Sequence, residues 1–350
     1  MRHLLYMEQD FTNPFKDFKS EYYLLIAAGQ GIKRVKMPDG NIVNTADIKR
    51  DLEYPQLFSW NAETSSLLEW VQYLKENPSC KCKLVVDSGA FSCWSKGKPF
   101  DKDEYIDFLN SNDVIEQAFW CAEADVIPGS FGVDPTEEER AEAPKKSWEN
   151  YLYMIERVKI PKKIVPIFHQ GEDFFYLKQM LEYTFPDGDH IPYIGISPRN
   201  DVHVNDKILW YEQVWKIIKE SSNPNVLTHN FGMTSISILE QFPSCSSDST
   251  TWIQSANYGN ILVPINGKVK IVLVSDRKKL SPDHIYNQSP AVIDAVKDLC
   301  NKVGYGFTIE ELVENDPTGY KRKVFNLLSL DIWRKSFKYE GNNLFKSVLW

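Results

Sequence analysis

The 350-residue chain lacks the marks of several protein classes. No apolar run reaches membrane-spanning length, and the opening Met-Arg-His-Leu-Leu-Tyr-Met-Glu-Gln-Asp has no long apolar core of a secretory signal. Cysteine is sparse, with six residues at 80, 82, 93, 121, 245 and 300. Only Cys80 and Cys82 are close, and no second pair complements them as a zinc site requires. Reduced thiols are therefore expected rather than a disulfide framework. Positive charge is not in excess either: 40 Lys and Arg against 48 Asp and Glu give a net charge of -8. That excludes a protein coated in positive charge and leaves room for a local basic groove. No GxGxxG or P-loop motif, low-complexity linker or composition shift marks a nucleotide-binding or second domain. These absences lead us to expect a soluble, cytoplasmic protein with no membrane partner.

What is present is a recurring event: an apolar run that ends in a polar residue. In Leu84-Val-Val-Asp87-Ser-Gly-Ala-Phe91-Ser a buried strand hands an Asp to a tight turn. A bland reading is open at once, since such an Asp commonly caps the next turn. The event recurs, however, each time with different chemistry. Ala118-Phe-Trp-Cys-Ala-Glu-Ala-Asp125 ends in a second carboxylate, and Ile164-Val-Pro-Ile-Phe168 runs into His169-Gln170-Gly171. Tyr193-Ile-Gly195-Ile-Ser197 ends in small residues that expose backbone, Val226-Leu-Thr-His229 runs into Asn230-Phe231-Gly232, and Cys245-Ser-Ser-Asp248 ends in a third carboxylate. Helical spacing alternates with these runs over 64–75, 103–109, 148–158, 174–183, 206–218 and 235–241. The acidic stretch 134–142 reads as a solvated loop leading into a helix, 33–44 as a loop or hairpin, and 290–302, 308–315 and 319–338 as helices.

Alternation of this kind predicts an α/β fold. The economical form is a (β/α)8 TIM-type barrel with extra C-terminal helices: a single domain over 1–350, with a core at about 20–285 and a helical extension over 286–350. A doubly wound open sheet is the alternative. In a closed barrel the strand ends share one mouth, where two carboxylates in distinct environments can divide labour as nucleophile and proton carrier. A Gln with an Asp can read the amide-like edge of a purine, and Phe91 with Phe231 can sandwich a flat base. From spacing alone, this is a carboxylate-rich mouth suited to a polar, planar ligand.

The ordered set also resembles a family. Asp87-Ser88-Gly-Ala-Phe-Ser is similar to the Asp-Ser-Gly-Gly-Phe-Gln signature of tRNA-guanine transglycosylases, and His169-Gln170-Gly171 to their Val-Gln-Gly. Ile194-Gly195-Ile196-Ser197 stands where they carry a Gly-Gly-Leu type strand end. Asn230-Phe231-Gly232-Met233 resembles their Met-Gly-Val-Gly segment, and Ser247-Asp248-Ser249 their nucleophile strand. The likeness runs in order over about 84–262. It implies Asp248 as the nucleophile at the ribose C1′ and Asp87 as the general acid/base. It further implies Asp125, Gln170, Gly195, Ile196, Ser197 and Ser88 around the base, with Phe91 and Phe231 on its faces. A covalent glycosyl-enzyme and a flipped target base follow from that chemistry.

The family's C-terminal zinc cluster has no counterpart here, because Cys300 stands alone in that part of the chain. No metal or other cofactor is assigned, and His169 and His229 read as site-wall or core residues. The segment 230–252 looks more like the zinc-less DNA 7-deazaguanine transglycosylases (DpdA-type) of phages and bacterial modification clusters. The expected reaction is therefore exchange of guanine in DNA for a free 7-deazaguanine base, such as 7-cyano-7-deazaguanine, in host cytoplasm if the gene is a phage's. The alternatives are the same exchange on tRNA, a non-catalytic nucleic-acid-binding relative, and an unrelated glycoside hydrolase using Asp87 and Asp248. Lys96, Lys98, Arg199, Arg277 and Lys278 are the candidates for holding the backbone, with Trp94 and Trp252 propping the gap left by a flipped base. For each lysine a plain solvated surface role competes. A monomer or weak dimer is expected.

Overall fold

The computed structural model describes residues 9–16, 22–27, 34–199, 201–233, 235–314, 316 and 318–336. Lys338, at the expected end of the last helix, lies outside these residues. The chain is mixed α/β and divides into two units, which among the described residues take 9–25 with 55–248, and 26–54 with 249–336.

The first unit carries a sheet of nine strands. Its order is Ile164–Val165, Trp120–Ala122, Leu84–Asp87, Gln56–Ser59, Tyr23–Ile26, Ser246–Ser249, Leu227–Asn230, Tyr193–Ser197 and Ile167–His169. Neighbouring strands run parallel wherever their registers are defined, as in Val85 opposite Trp120, Cys121 opposite Ile164, Phe168 opposite Ile196 and His229 opposite Ser246. The two outermost strands are consecutive in the chain and separated only by Pro166. Proline has no N–H for a ladder, so it splits the run Ile164–His169 in two. One half then pairs with Trp120–Ala122 and the other with Tyr193–Ser197.

Parallel strands buried on both faces should read as continuous apolar runs, and Leu84, Val85 and Val86 are all without exposure. Gln56–Ser59 was not legible this way, being four residues long with a polar residue at each end. Helices cover the sheet. In Trp60–Glu76 the residues Leu67, Trp70, Val71 and Leu74 form the buried stripe, at the spacing that predicts a helix over 64–75. The acidic stretch belongs to the helix Glu137–Ile155 rather than to a loop. Thr136 and Glu139 form a reciprocal capping box, and Glu137, Glu138 and Glu139 sit in the first turn, where the helix dipole favours negative charge. The strand expected over 117–126 is only Trp120–Ala122, which leaves Asp125 beyond its end.

The second unit contains a hairpin of Val35–Lys36 with Ile42–Val43, the antiparallel pair Asn260–Ile265 with Lys268–Leu273, and the helices Pro290–Val303, Ile309–Val313 and Tyr320–Arg334. Its early and late segments interlock. Lys49 Nζ lies 5.0 Å from the centroid of the Trp252 ring, the Arg334 guanidinium covers Tyr54 at 4.5 Å, and Arg334 also donates to the Leu52 carbonyl at 2.9 Å. Among the described residues no helix is long and apolar enough to cross a membrane.

Candidate functional site

Asp87 is the last residue of Leu84–Asp87, and the chain turns sharply behind it. Gly89 has φ +77°, and a Cβ there would lie 2.7 Å from Ser59 Oγ. Only glycine takes that turn without strain, and it returns the Gly89 N–H to Asp87 Oδ2 at 3.1 Å. Burial raises the Asp87 carboxyl to about 7 and the negative charge of Asp125 adds to it; the Gly89 N–H opposes the rise, Asp248 contributes to it, and the Ser59 hydroxyl lowers it. Asp87 thus feels the charge of Asp125, which lies beyond the end of Trp120–Ala122, and of Asp248 on Ser246–Ser249.

Asp125 is held from the side. Its Oδ2 lies 3.3 Å from His169 Nε2, and the other ring nitrogen lies 3.1 Å from Glu172 Oε1. Glu172 Oε2 accepts the His169 backbone N–H at 3.0 Å, which ties the three side chains into a unit. Burial works against a charged His169, but Glu172 and Asp125 overcome it and raise the imidazole well above its ordinary value. His169 thus bridges Asp125 and Glu172, a setting that favours its protonated form.

Asp248 is held from behind. Its Oδ1 accepts the Gly232 N–H at 2.6 Å and faces His229 Nε2 at 3.3 Å. Among the described residues Oδ2 has no hydrogen-bond partner. His229 is fully buried, and burial lowers its pKa against the pull of Asp248, so the ring is neutral. Phe231 closes this wall, its ring edge-on to His229 with centroids 4.5 Å apart. Gly195 makes room for it: a Cβ there would fall 2.6 Å from Phe231 Cε2 and 3.1 Å from Ile167 Cγ1. Gly195→Ala is accordingly expected to push Phe231 aside, to cost about 1–3 kcal/mol in thermal or denaturant unfolding, and to weaken binding of any planar ligand stacked there.

The other expected site residues are placed less simply. The Gln170 carboxamide is engaged at both ends, accepting from Arg199 N–H at 3.0 Å and donating to the Asp206 carbonyl at 3.4 Å, so it must exchange these bonds to read a base. The backbone expected to face a ligand is largely used within the sheet. Gly195 N–H donates to the Pro166 carbonyl, Phe231 N–H to Ile196 and Gln170 N–H to Ser197. Ser88 is buried and accepts from Ala90 N–H at 3.3 Å, which makes it a turn residue.

Phe91 is 61% exposed and lies beside Trp94, whose ring also meets the exposed Phe131. Trp94 is fixed by its indole N–H on the Gly129 carbonyl at 2.8 Å. Lys96 and Lys98 are exposed in the turn that follows, with no ion pair among the described residues. Arg199 is placed less simply than expected: its guanidinium pairs twice with Asp201, at 3.0 and 2.6 Å, an exposed pair that a phosphate has to displace. Trp252 is a correction. It is wholly buried in the second unit, with its indole N–H on the Ala27 carbonyl at 3.2 Å, and a ring so enclosed cannot wedge into nucleic acid. Arg277 and Lys278 lie in the exposed helical turn Asp276–Lys278 of that unit.

Sequence reasoning missed the roles of Glu172 and Ser59, and read His229 only as a site-wall or core residue. Only His169 with Glu172 three residues on gave a local signal. No protein-family model matches the chain, and no curated protein matches it.

Proposed function

We propose that the chain is a transglycosylase that exchanges guanine in DNA for a 7-deazaguanine base through a covalent Asp248 intermediate. What supports this reading is that the three carboxyls are each held differently: Asp87 by the Gly89 N–H, Asp125 by His169, and Asp248 by the Gly232 N–H and His229. We read the fold as a closed (β/α)8 barrel. The Pro166-split run supplies both edges of the sheet, so joining its halves closes the ring and gathers the strand ends at one mouth.

In this mechanism Asp248 Oδ2 attacks C1′ of the extruded nucleotide and forms an ester as the glycosidic C–N bond breaks. The electron pair leaves with the base, and Asp87, protonated up to about pH 7, supplies the proton that makes guanine a neutral leaving group. The incoming base returns a proton to Asp87, and its ring nitrogen displaces Asp248 from C1′. Asp125 accepts from the base's amino and ring N–H groups, and Phe231 lies against its face. Phe91 and Trp94, with Lys96 and Lys98 beside them, suit a nucleic-acid strand: aromatic faces for stacking next to positive charge. The missing zinc cluster favours DNA over tRNA.

The test is a paired incubation of duplex DNA and bulk tRNA with 7-cyano-7-deazaguanine, followed by nuclease digestion and mass spectrometry. A modified deoxynucleoside is expected. A modified ribonucleoside alone would transfer the reading to tRNA, and no product with either would remove it.

A further inference from the structure

Behind Asp248 stands a row of buried side chains that the proposed chemistry does not use. His229 Nδ1 lies 2.7 Å from Ser246 Oγ, and Ser246 Oγ lies 2.6 Å from Tyr193 OH. The Cys245 thiol donates to the same Tyr193 oxygen. All four residues are without exposure. We infer that His229 is a positioning residue that selects which oxygen of Asp248 reacts, with its tautomer fixed from both sides, by Asp248 at Nε2 and by the Ser246–Tyr193 pair at Nδ1. The kinetic half of this inference rests on the transglycosylase reading; the tautomer half does not.

The direction of the row follows from hydrogen-bond chemistry. A bare Nε2 would set its lone pair against the lone pairs of Asp248 Oδ1, so Nε2 must carry the proton. Nδ1 is then an acceptor, and Ser246 must donate to it. The Ser246 oxygen in turn accepts from Tyr193, and at the far end the Cys245 thiol is shared between the Tyr193 oxygen and the Thr228 carbonyl. Every donor in the row has one consistent orientation, which ends as an N–H aimed at Oδ1. That N–H and the Gly232 N–H together occupy Oδ1 and turn Oδ2 outward.

The ring is also held mechanically, between Trp120 at 4.8 Å and Phe231 at 4.5 Å, both edge-on. Both of its nitrogens are engaged, so His229 has no free position for a substrate proton or a metal ion. It serves as a fixed dipole, in contrast to His169, whose two acidic neighbours favour the protonated ring.

The experiment combines nitrogen NMR of the full chain, labelled at histidine, with kinetics of three variants. His229 is expected as the neutral Nε2–H tautomer, and Ser246→Ala is expected to mix in the other tautomer. His229→Gln keeps an N–H near the Nε2 position and should stay within about tenfold of the parent rate. His229→Leu removes it and should lose about 100-fold or more in kcat with KM within a few-fold, as for loss of a group acting on the reacting geometry. An Nδ1–H tautomer, an imidazolium, or a loss in His229→Leu confined to KM would overturn the inference. Since His229→Leu can fail to fold, the tautomer in the unaltered chain and in Ser246→Ala decides the structural half alone. If the unaltered chain exchanges no base yet shows the expected tautomer and its loss in Ser246→Ala, the clamp stands and the transglycosylase reading falls.

Discussion

Asp248→Asn should abolish base exchange while nucleic-acid binding persists. Loss of a covalent nucleophile costs about 10^4–10^6 in rate, and a carboxamide oxygen cannot form the ester that the reaction needs. The substitution is mild in every other respect. The Asn oxygen can still accept from Gly232 N–H and His229, which hold Oδ1 now, and the side chain is only 14% exposed at present, so nothing new is presented to solvent. Product nucleosides are counted by mass spectrometry and binding by electrophoretic shift. A third readout is the nucleic acid that stays with the protein after denaturation, expected for the parent and absent for the variant. Exchange that survives in Asp248→Asn would place the nucleophile elsewhere.

Asp87→Asn should remove activity and add stability, in a pH window that the carboxyl itself defines. Its pKa is about 7 in the folded protein against an ordinary 3.8. Between those values the folded chain holds a proton that the unfolded chain has released, so stability falls as pH rises through the window and the full penalty is in place above about 7. Asn carries no charge to bury and still accepts from Gly89 N–H. The variant should therefore match the parent near pH 4 and exceed it at pH 8 by on the order of 1–3 kcal/mol, allowing for partial hydration of the site. Exchange should drop by about 10^2–10^4, the usual worth of a general acid. Melts at pH 5 and pH 8 for both proteins decide it: equal pH dependence would mean that Asp87 is not the strained group. The same sign predicts that guanine departure in the parent slows above about pH 7.

The strand ends were readable in the sequence because a parallel strand buried on both faces is a run of apolar letters that stops abruptly, as at Asp87 and His169. Their convergence on a common sheet was readable too, since strand and helix signals alternate without a break. What could not be read was how each carboxyl is held. His229 meets Asp248 only because two strands pair in one register, His229 opposite Ser246, and nothing local to either residue announces it. Trp252 shows the opposite failure. An indole among Ser and Thr looks like surface, whereas its burial depends on Lys49 and Ala27, which lie far earlier in the chain. Gln170 and Arg199 were identified by type, but their partners are the Asp206 carbonyl in the first turn of the helix Val204–Glu220 and Asp201 in the bend before it, and the letters do not encode how that bend sets the helix start.

The interlocking of the second unit has a consequence for biosynthesis. Residues 26–54 leave the ribosome early, yet their partners Trp252, Tyr305 and Arg334 belong to the last third of the chain. At about 5–20 residues per second, the roughly 190 intervening residues take on the order of 10–40 s to make. Throughout that interval Ile48 and Tyr54, both buried in the finished protein, wait with no native cover from their own unit. In the sheet the strand Tyr23–Ile26 waits as long for Ser246–Ser249, whereas the strands from Gln56–Ser59 onward pair with neighbours that emerge in sequence. The early segment is thus the part of the nascent chain where a chaperone has the longest time to act.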